Sequence, residues 1–248
     1  MAGDQQDHIV KSFDEQLNHI SETITRMGGL AESQLGSAID ALRNRDSDVA
    51  SRVVNADTGL DGLEQDVEQS AVRVLALRQP VASDLREIVT AFKIASDTER
   101  IGDYSVNVAK RALALNQMEA PRTTTALPRM GRMAQAIVKE TFDAYVERDA
   151  AKALDVWKRD EEVDEMHTSL FREMLTYMME DPRFITPGIH LLFCAKNIER
   201  IGDLATNVAE QVHYLVTGET IEGKRPKGDT TPYAVTPGPE SGDQGDGQ

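Results

Sequence analysis

Four pairs of acidic residues, each spaced i, i+4, are the groups whose type and spacing could do chemistry: Asp57 with Asp61, Glu99 with Asp103, Asp160 with Asp164, and Glu199 with Asp203. On a helix this spacing sets both carboxylates on one face, about one turn apart. Left bare, each pair costs roughly 0.2–0.5 kcal/mol within its helix, and a divalent or trivalent cation removes that penalty. All-oxygen donors, with Asn107 and Asn207 one turn further along, suit hard or borderline ions such as magnesium, manganese or iron; zinc is the remaining candidate. Two plainer roles compete: a solvated acidic face, and ion pairs in which Arg100 and Arg200 neutralise the acids.

Two of the pairs sit inside a repeated segment. Asp97–Lys110, DTERIGDYSVNVAK, returns 100 residues later as Asn197–Glu210, NIERIGDLATNVAE, with eight of fourteen positions identical. The other two pairs match one another at an offset of 103. Each half therefore offers one D-xxx-D and one E-xxx-D segment, adjacent in sequence, and antiparallel packing would turn four carboxylates toward one another. Gly102 and Gly202 lie on the apolar arc beside the acids. There a missing side chain costs about 1 kcal/mol relative to Ala but lets another helix approach closely. Repeat-equivalent placement favours a shared role over chance.

The elements that must position these acids are helices. Apolar residues recur at spacings of three and four throughout, and period-2 alternation is absent. After a polar lead-in (1–8), a first helix runs from Ile9 toward Leu42, with Gly28 and Gly29 as a bend. A second, with Ser47 as its cap, ends before Pro80, and a third, capped by Ser83, carries the first ERIGD copy and fades near Met118. A link without apolar period (120–127) precedes three more helices in residues 128–216. There the ERDAA stop matches NRDSD near residue 46, and the segment 181–188 breaks the chain before the second ERIGD copy. The expectation is an all-α protein of six helices: two tandem three-helix bundles, residues 9–119 and 128–216, related by a pseudo-two-fold internal repeat. Helices of about 30 residues would be roughly 45 Å long. Residues 217–248, acidic and rich in Gly and Pro, lack the apolar content to offset ordering entropy and are expected to be disordered.

The remaining features narrow the function. A net charge of −15 without basic runs argues against nucleic acid as a partner. One cysteine, Cys194, excludes an internal disulfide and fits a reducing cytoplasm; it falls on an apolar helix face and reads as core. No window reads as a signal peptide or a membrane span. Trp157 and the Met174, Met178, Met179 group read as packing or a partner-helix groove. Asp164 with His167 and Glu210 with His213 have D-xx-H and E-xx-H spacing, the raw material of a carboxylate-bridged di-metal enzyme, but they are not repeat-equivalent. His167 stands where the other half has Glu64 and reads as a surface residue. No Walker loop, GxSxG or glycine-rich phosphate cradle is present, so the expectation is a protein without catalytic residues.

The segment LALRQPVASDLR (75–86), followed by ASDTERIGDYSVNVAK and later by AKNIERIGDLATNVAE, resembles the PhoU family of phosphate-uptake regulators. The resemblance spans about Val10 to Val216, including the internal repeat. It implies two three-helix bundles whose E(D)xxxD motifs bind iron or zinc in some members; all eight of the acids above occupy those positions. Tyr104 and Leu204 stand where many members place His, and the second half has EDPRFITPG in place of RQPVASDLR. The resemblance further implies a non-enzymatic negative regulator of phosphate uptake and of the phosphate-starvation response. Such a regulator would be a homodimer in the cytoplasm, peripheral at the inner membrane face through its partners. Those partners would be the ATPase subunit of the phosphate ABC transporter and its sensor histidine kinase.

Overall fold

In the computed structural model the described residues are 2–56, 58–78, 80–119 and 125–223, with the side chains of residues 2–12 and of Asp160 outside the description. The helices are α1 (Ala2–Asn44), α2 (Ser47–Asn55), α3 (Thr58–Arg78), α4 (Ala82–Asn116), α5 (Ala126–Glu147), α6 (Ala150–Lys158), α7 (Asp160–Glu180) and α8 (Ile185–Thr217). A short 3-10 turn, Pro182–Phe184, precedes α8. No strand occurs among the described residues. These segments form six rods, because α2 with α3, and α6 with α7, each make one broken rod. The first three rods pack as one bundle and the last three as a second. The expected link at 120–127 and the tail beyond Gly223 fall largely outside the described residues.

The two bundles meet chiefly along α4 and α8, with α1 also against α5, and their buried side chains form one continuous apolar core. Arg111 lies over the Phe193 ring, Arg200 over Tyr104 and Arg86 over Tyr214. A rising number on one helix therefore meets a falling number on the other, so α4 and α8 run antiparallel. Tyr104 thus serves this crossing, and Leu204 is buried in the core.

Local chemistry explains the repeat-equivalent turns. Arg45 (φ 55°) and Arg148 (φ 52°) each close a helix in the left-handed region, and Asp46 and Asp149 cap the next one. The Asp46 carboxylate accepts from the backbone N–H groups of Asp48 and Val49 at 3.0 and 2.9 Å, and Asp149 accepts from Ala151 and Lys152 at 2.9 and 3.0 Å. The cap is therefore Asp46 rather than Ser47; a carboxylate satisfies two orphan donors and also complements the helix dipole. The Arg45 guanidinium donates to the C-terminal carbonyls of Leu115, Asn116 and Met118, closing the end of α4.

Three other expectations are corrected. Ser83 does not cap α4: the helix starts at Ala82, and the Ser83 hydroxyl faces the Asp84 carboxylate at 3.3 Å. Gly28 and Gly29 do not end α1, which also begins earlier than Ile9, at Ala2. A Cβ on Gly28 would lie 2.3 Å from the Phe142 ring, so this glycine gives α5 room within a helix that runs on through it. Nor are the second and fifth rods continuous. Ala56 (φ −88°, ψ 2°) and Arg159 (φ −89°, ψ 2°) interrupt them at repeat-equivalent points, because ψ near zero turns the carbonyl out of the helical ladder. Both breaks fall directly before the acidic segments.

Candidate functional site

Asp61 and Glu64 lie on α3, and Glu99 and Asp103 on α4, whose close approach rests on a missing side chain. A Cβ on Gly102 would sit 2.3 Å from Leu60 Cδ1 and 3.0 Å from Gln34 Oε1. Leu60 of α3 therefore packs directly on the α4 backbone, one turn from Glu64. Burial holds the Glu64 carboxyl above its usual range, with Glu68 next and then Asp61 and Asp103 adding to the rise, against a hydrogen bond with Ser96. The acids of the two helices are thus electrostatic neighbours. Glu99 and Asp61 are half-buried and Asp103 is exposed.

The second half repeats this on α7 and α8, further from water. Asp164 is 3% exposed and Glu199 5% exposed, while Asp203 is half-buried. Burial raises the Glu199 pKa, and the negative charges of Asp203 and Asp164 add to the rise; Lys196 opposes it. The Lys196 ammonium lies 2.8 Å from Glu199 Oε1. The other oxygen, Glu199 Oε2, is buried without a hydrogen-bond partner among the described residues. A cation would satisfy it, and the oxygen-only donor set has the chemistry for one.

The sequence-predicted acids are therefore brought together in pairs of helices, with a limit. Among the described residues, no three His, Cys, Asp or Glu side chains are grouped as a set that could hold a metal ion. Asp57 lies outside the described residues, and Asp160 opens α7 with its side chain undescribed.

The cations differ from the sequence expectation. Arg100 pairs with Asp97 at 3.8 Å, and Arg200 donates to the Tyr104 hydroxyl at 3.4 Å, whereas the cation on Glu199 is Lys196. The sequence reading gave Lys196, Ser96 and Glu64 no role in the site. The signal was available, since Lys196 precedes Glu199 by three residues and Ser96 precedes Glu99 by three. His167 is another correction: it is 4% exposed, not a surface residue, because α7 turns it inward beside Lys196 and Phe193. His213 stands near the end of α8, its Nδ1 3.2 Å from the Glu219 carbonyl. It lies 17 residues beyond Lys196, about 26 Å along the helix. His167 and His213 therefore do not converge on one di-metal centre. Cys194 and Trp157 are buried and Met174 is core, as expected.

Next to the second acid group is an apolar hollow of about 350 Å³, lined by His167, Phe171, Ile189, Leu192, Phe193 and Lys196. Leu175 and Met179 of α7 and Ile185 and Ile189 of α8, the two helices that line it, are exposed. The first half exposes the repeat-equivalent Val72, Leu85 and Val89. No helix among the described residues is long and apolar enough to cross a membrane.

The family model for the PhoU domain matches residues 24–112 and again 127–212. The phosphate-specific transport system accessory protein PhoU homolog of Caulobacter vibrioides is 49% identical over 222 residues, covering 89% of this chain and 96% of that protein. Its namesake in Rhizobium meliloti is 49% identical over 225 residues, covering 90% and 95%. Among solved structures, PhoU from Pseudomonas aeruginosa superposes with a TM-score of 0.81 at 40% identity, covering 84% of this chain and all of that one. The phosphate transport system regulatory protein PhoU from Streptococcus pneumoniae superposes at 0.79 with 28% identity, covering 85% and 99%.

Proposed function

Because the chain belongs to the PhoU family, we propose that it is a phosphate-transport accessory protein that restrains phosphate uptake and the phosphate-starvation response. It acts without catalysis, as a cytoplasmic homodimer that docks between the ATPase subunit of the phosphate ABC transporter and the sensor histidine kinase. The observation that carries this reading is the match to relatives named phosphate-specific transport system accessory proteins, at 49% identity over about nine tenths of both chains.

The surface supports docking. Val72 and Leu175, Leu85 and Ile185, and Val89 and Ile189 are exposed at equivalent places in the two halves. Long helices with apolar rows of this kind suit helix-on-helix recognition. The acids are the proposed metal ligands: Asp57, Asp61, Glu99 and Asp103 in one half, Asp160, Asp164, Glu199 and Asp203 in the other. A bound iron, zinc, manganese or magnesium ion would supply charge neutralisation that draws each pair of helices together.

The test is co-purification of tag-free chain with the ATPase subunit and with the kinase, comparing wild type with Val89→Asp and Ile189→Asp. Both sites are exposed, so the fold should survive. Capture of both partners by wild type and loss by the variants is expected; no capture of either partner refutes the adaptor reading. Elemental analysis of the same preparations, beside a variant with Glu99, Asp103, Glu199 and Asp203 changed to amides, tests the ligands. Equal metal content in both removes the ligand assignment.

A further inference from the structure

Two cation–ring contacts join α4 to α8, and the internal repeat reproduces neither. The Arg111 guanidinium lies 4.5 Å from the centre of the Phe193 ring, and that of Arg200 lies 5.5 Å from the centre of Tyr104. At the repeat-equivalent positions stand Gln211 and Lys93, and Arg100 and Leu204. A carboxylate differs as well. Arg100 pairs with Asp97 at 3.8 Å, but the equivalent of Asp97 is Asn197, whose Nδ2 donates to the Phe193 carbonyl at 2.8 Å. Arg200 therefore has an amide three residues before it where Arg100 has an acid.

The hydrogen-bond partners of both arginines are neutral. Arg200 Nη1 donates to the Tyr104 hydroxyl at 3.4 Å, and Arg111 Nη1 donates to His190 Nδ1 at 3.4 Å. Burial, and after it the Arg111 charge, holds the His190 pKa below its usual value, which suits a neutral ring that accepts. Among the described residues neither guanidinium pairs with a carboxylate. In a chain with 42 acidic residues against 27 basic ones, that leaves a local pair of uncompensated cations. Stacking on a ring fixes the plane of a guanidinium and leaves N–H edges for a carboxylate fork. Phe193 and Arg200 are seven residues apart, about 10 Å along α8, which one small anion cannot bridge. Phe193 also lines the apolar hollow, together with Ile189 and Leu192. The cations thus border a cavity of about 350 Å³ that is open to an apolar side chain.

We propose that Arg111, Arg200 and this hollow form the docking site for an acidic amphipathic helix of a partner protein. One bulky apolar side chain enters the hollow, and two carboxylates about two helical turns apart meet the two arginines. This deepens the docking reading above and rests on it. Charge complementarity selects the occupant: two copies of a chain with net charge −15 repel one another, whereas an acidic segment on a separate protein answers the local positive charge. The chain has one such site, because Lys93 replaces the ring and Asp97 neutralises the arginine at the equivalent place.

The experiment measures binding of the full chain to the purified ATPase subunit and to the detergent-solubilised kinase by biolayer interferometry, at low and at high salt. Circular dichroism checks the fold of each variant, and size-exclusion chromatography its oligomeric state. Arg111→Gln with Arg200→Gln should weaken binding to at least one partner by about tenfold at low salt, and by less at high salt, where exposed charges are screened. Arg111→Lys with Arg200→Lys keeps both charges and should recover most of that loss. Arg100→Gln, at the neutralised place, should bind as wild type does. If the glutamine pair binds both partners as wild type does, the site is overturned while the docking reading stands. A lysine pair no better than the glutamine pair, or an equal loss in Arg100→Gln, overturns the role of these two charges. Conversion of a dimer to a monomer by the glutamine pair also overturns it, since the occupant would then be a second copy. If wild type captures neither partner, the docking reading itself falls, and this inference with it.

Discussion

At Gly102 the Leu60 side chain of α3 packs directly against α4, and this contact yields a prediction with opposing terms. A Cβ there would lie 2.3 Å from Leu60 Cδ1, and Leu60 is 1% exposed. Carbon atoms in contact sit at about 3.5–4.0 Å, so Leu60 must retreat by roughly 1 Å or more into a filled core. Overpacking of this kind costs about 1–3 kcal/mol, while replacing a mid-helix glycine with alanine returns about 1 kcal/mol. Gly102→Ala should therefore lie between neutral and about 2 kcal/mol destabilising, despite its better helix propensity. Leu60→Ala alone should cost about 2–5 kcal/mol by leaving a cavity. In that background the new methyl enters vacated space, and Gly102→Ala should become stabilising by up to about 1 kcal/mol. The double-mutant cycle, read by thermal unfolding after chelator treatment, should show favourable coupling of about 1–3 kcal/mol. Each kcal/mol moves the midpoint by about 2–4 °C for a chain of this size. Additivity within about 0.5 kcal/mol would refute the claim that the α3 to α4 spacing depends on this glycine.

Two further outcomes follow from buried groups. Burial holds Glu199 above its usual value of 4.5, so the native metal-free chain binds that proton more tightly than the unfolded chain does. The associated stability is complete below pH 4.5 and is lost as pH rises through the raised value. Chelator-treated Glu199→Gln should accordingly melt at or above wild type at pH 7.5 and lose that advantage near about pH 4; a lower melting point at pH 7.5 contradicts this. The Cys194 thiol is fully buried and pushed up to about 12, so a thiol reagent at about pH 8 should leave the native chain unmodified and react once upon unfolding. Prompt native-state labelling would place Cys194 outside the core.

Much of the architecture was legible because helical periodicity and the internal repeat are carried by many residues at once. Ile94, Ile101 and Val108 on α4 and Ile198, Ile201 and Val208 on α8 are all buried where the 3.6-residue period puts them. The misread features were set by single contacts. Asp46 outcompetes Ser47 as a cap by accepting two backbone N–H groups, which composition alone does not rank. The breaks at Ala56 and Arg159 leave no glycine or proline signature, since ψ near zero is open to any residue type. Gly28 serves Phe142, a residue from the other bundle that no local pattern could supply.

The candidate site divides along the same line. Its acids were visible because i, i+4 spacing and repeat offsets are properties of sequence, and in the structure Asp103 of α4 acts on Glu64 of α3, and Asp164 of α7 on Glu199 of α8. The charge balance was not visible, because it depends on which neighbours each carboxylate meets. Lys196 and Ser96 occupy one position of the repeat with opposite consequences: an ammonium on Glu199 in one half, a hydroxyl partner of Glu64 in the other. A repeat preserves backbone geometry far more readily than it preserves electrostatics, because one substitution of Ser for Lys leaves the helix intact and changes the local charge by a full unit. Two halves built alike therefore differ in the charge that surrounds their acids.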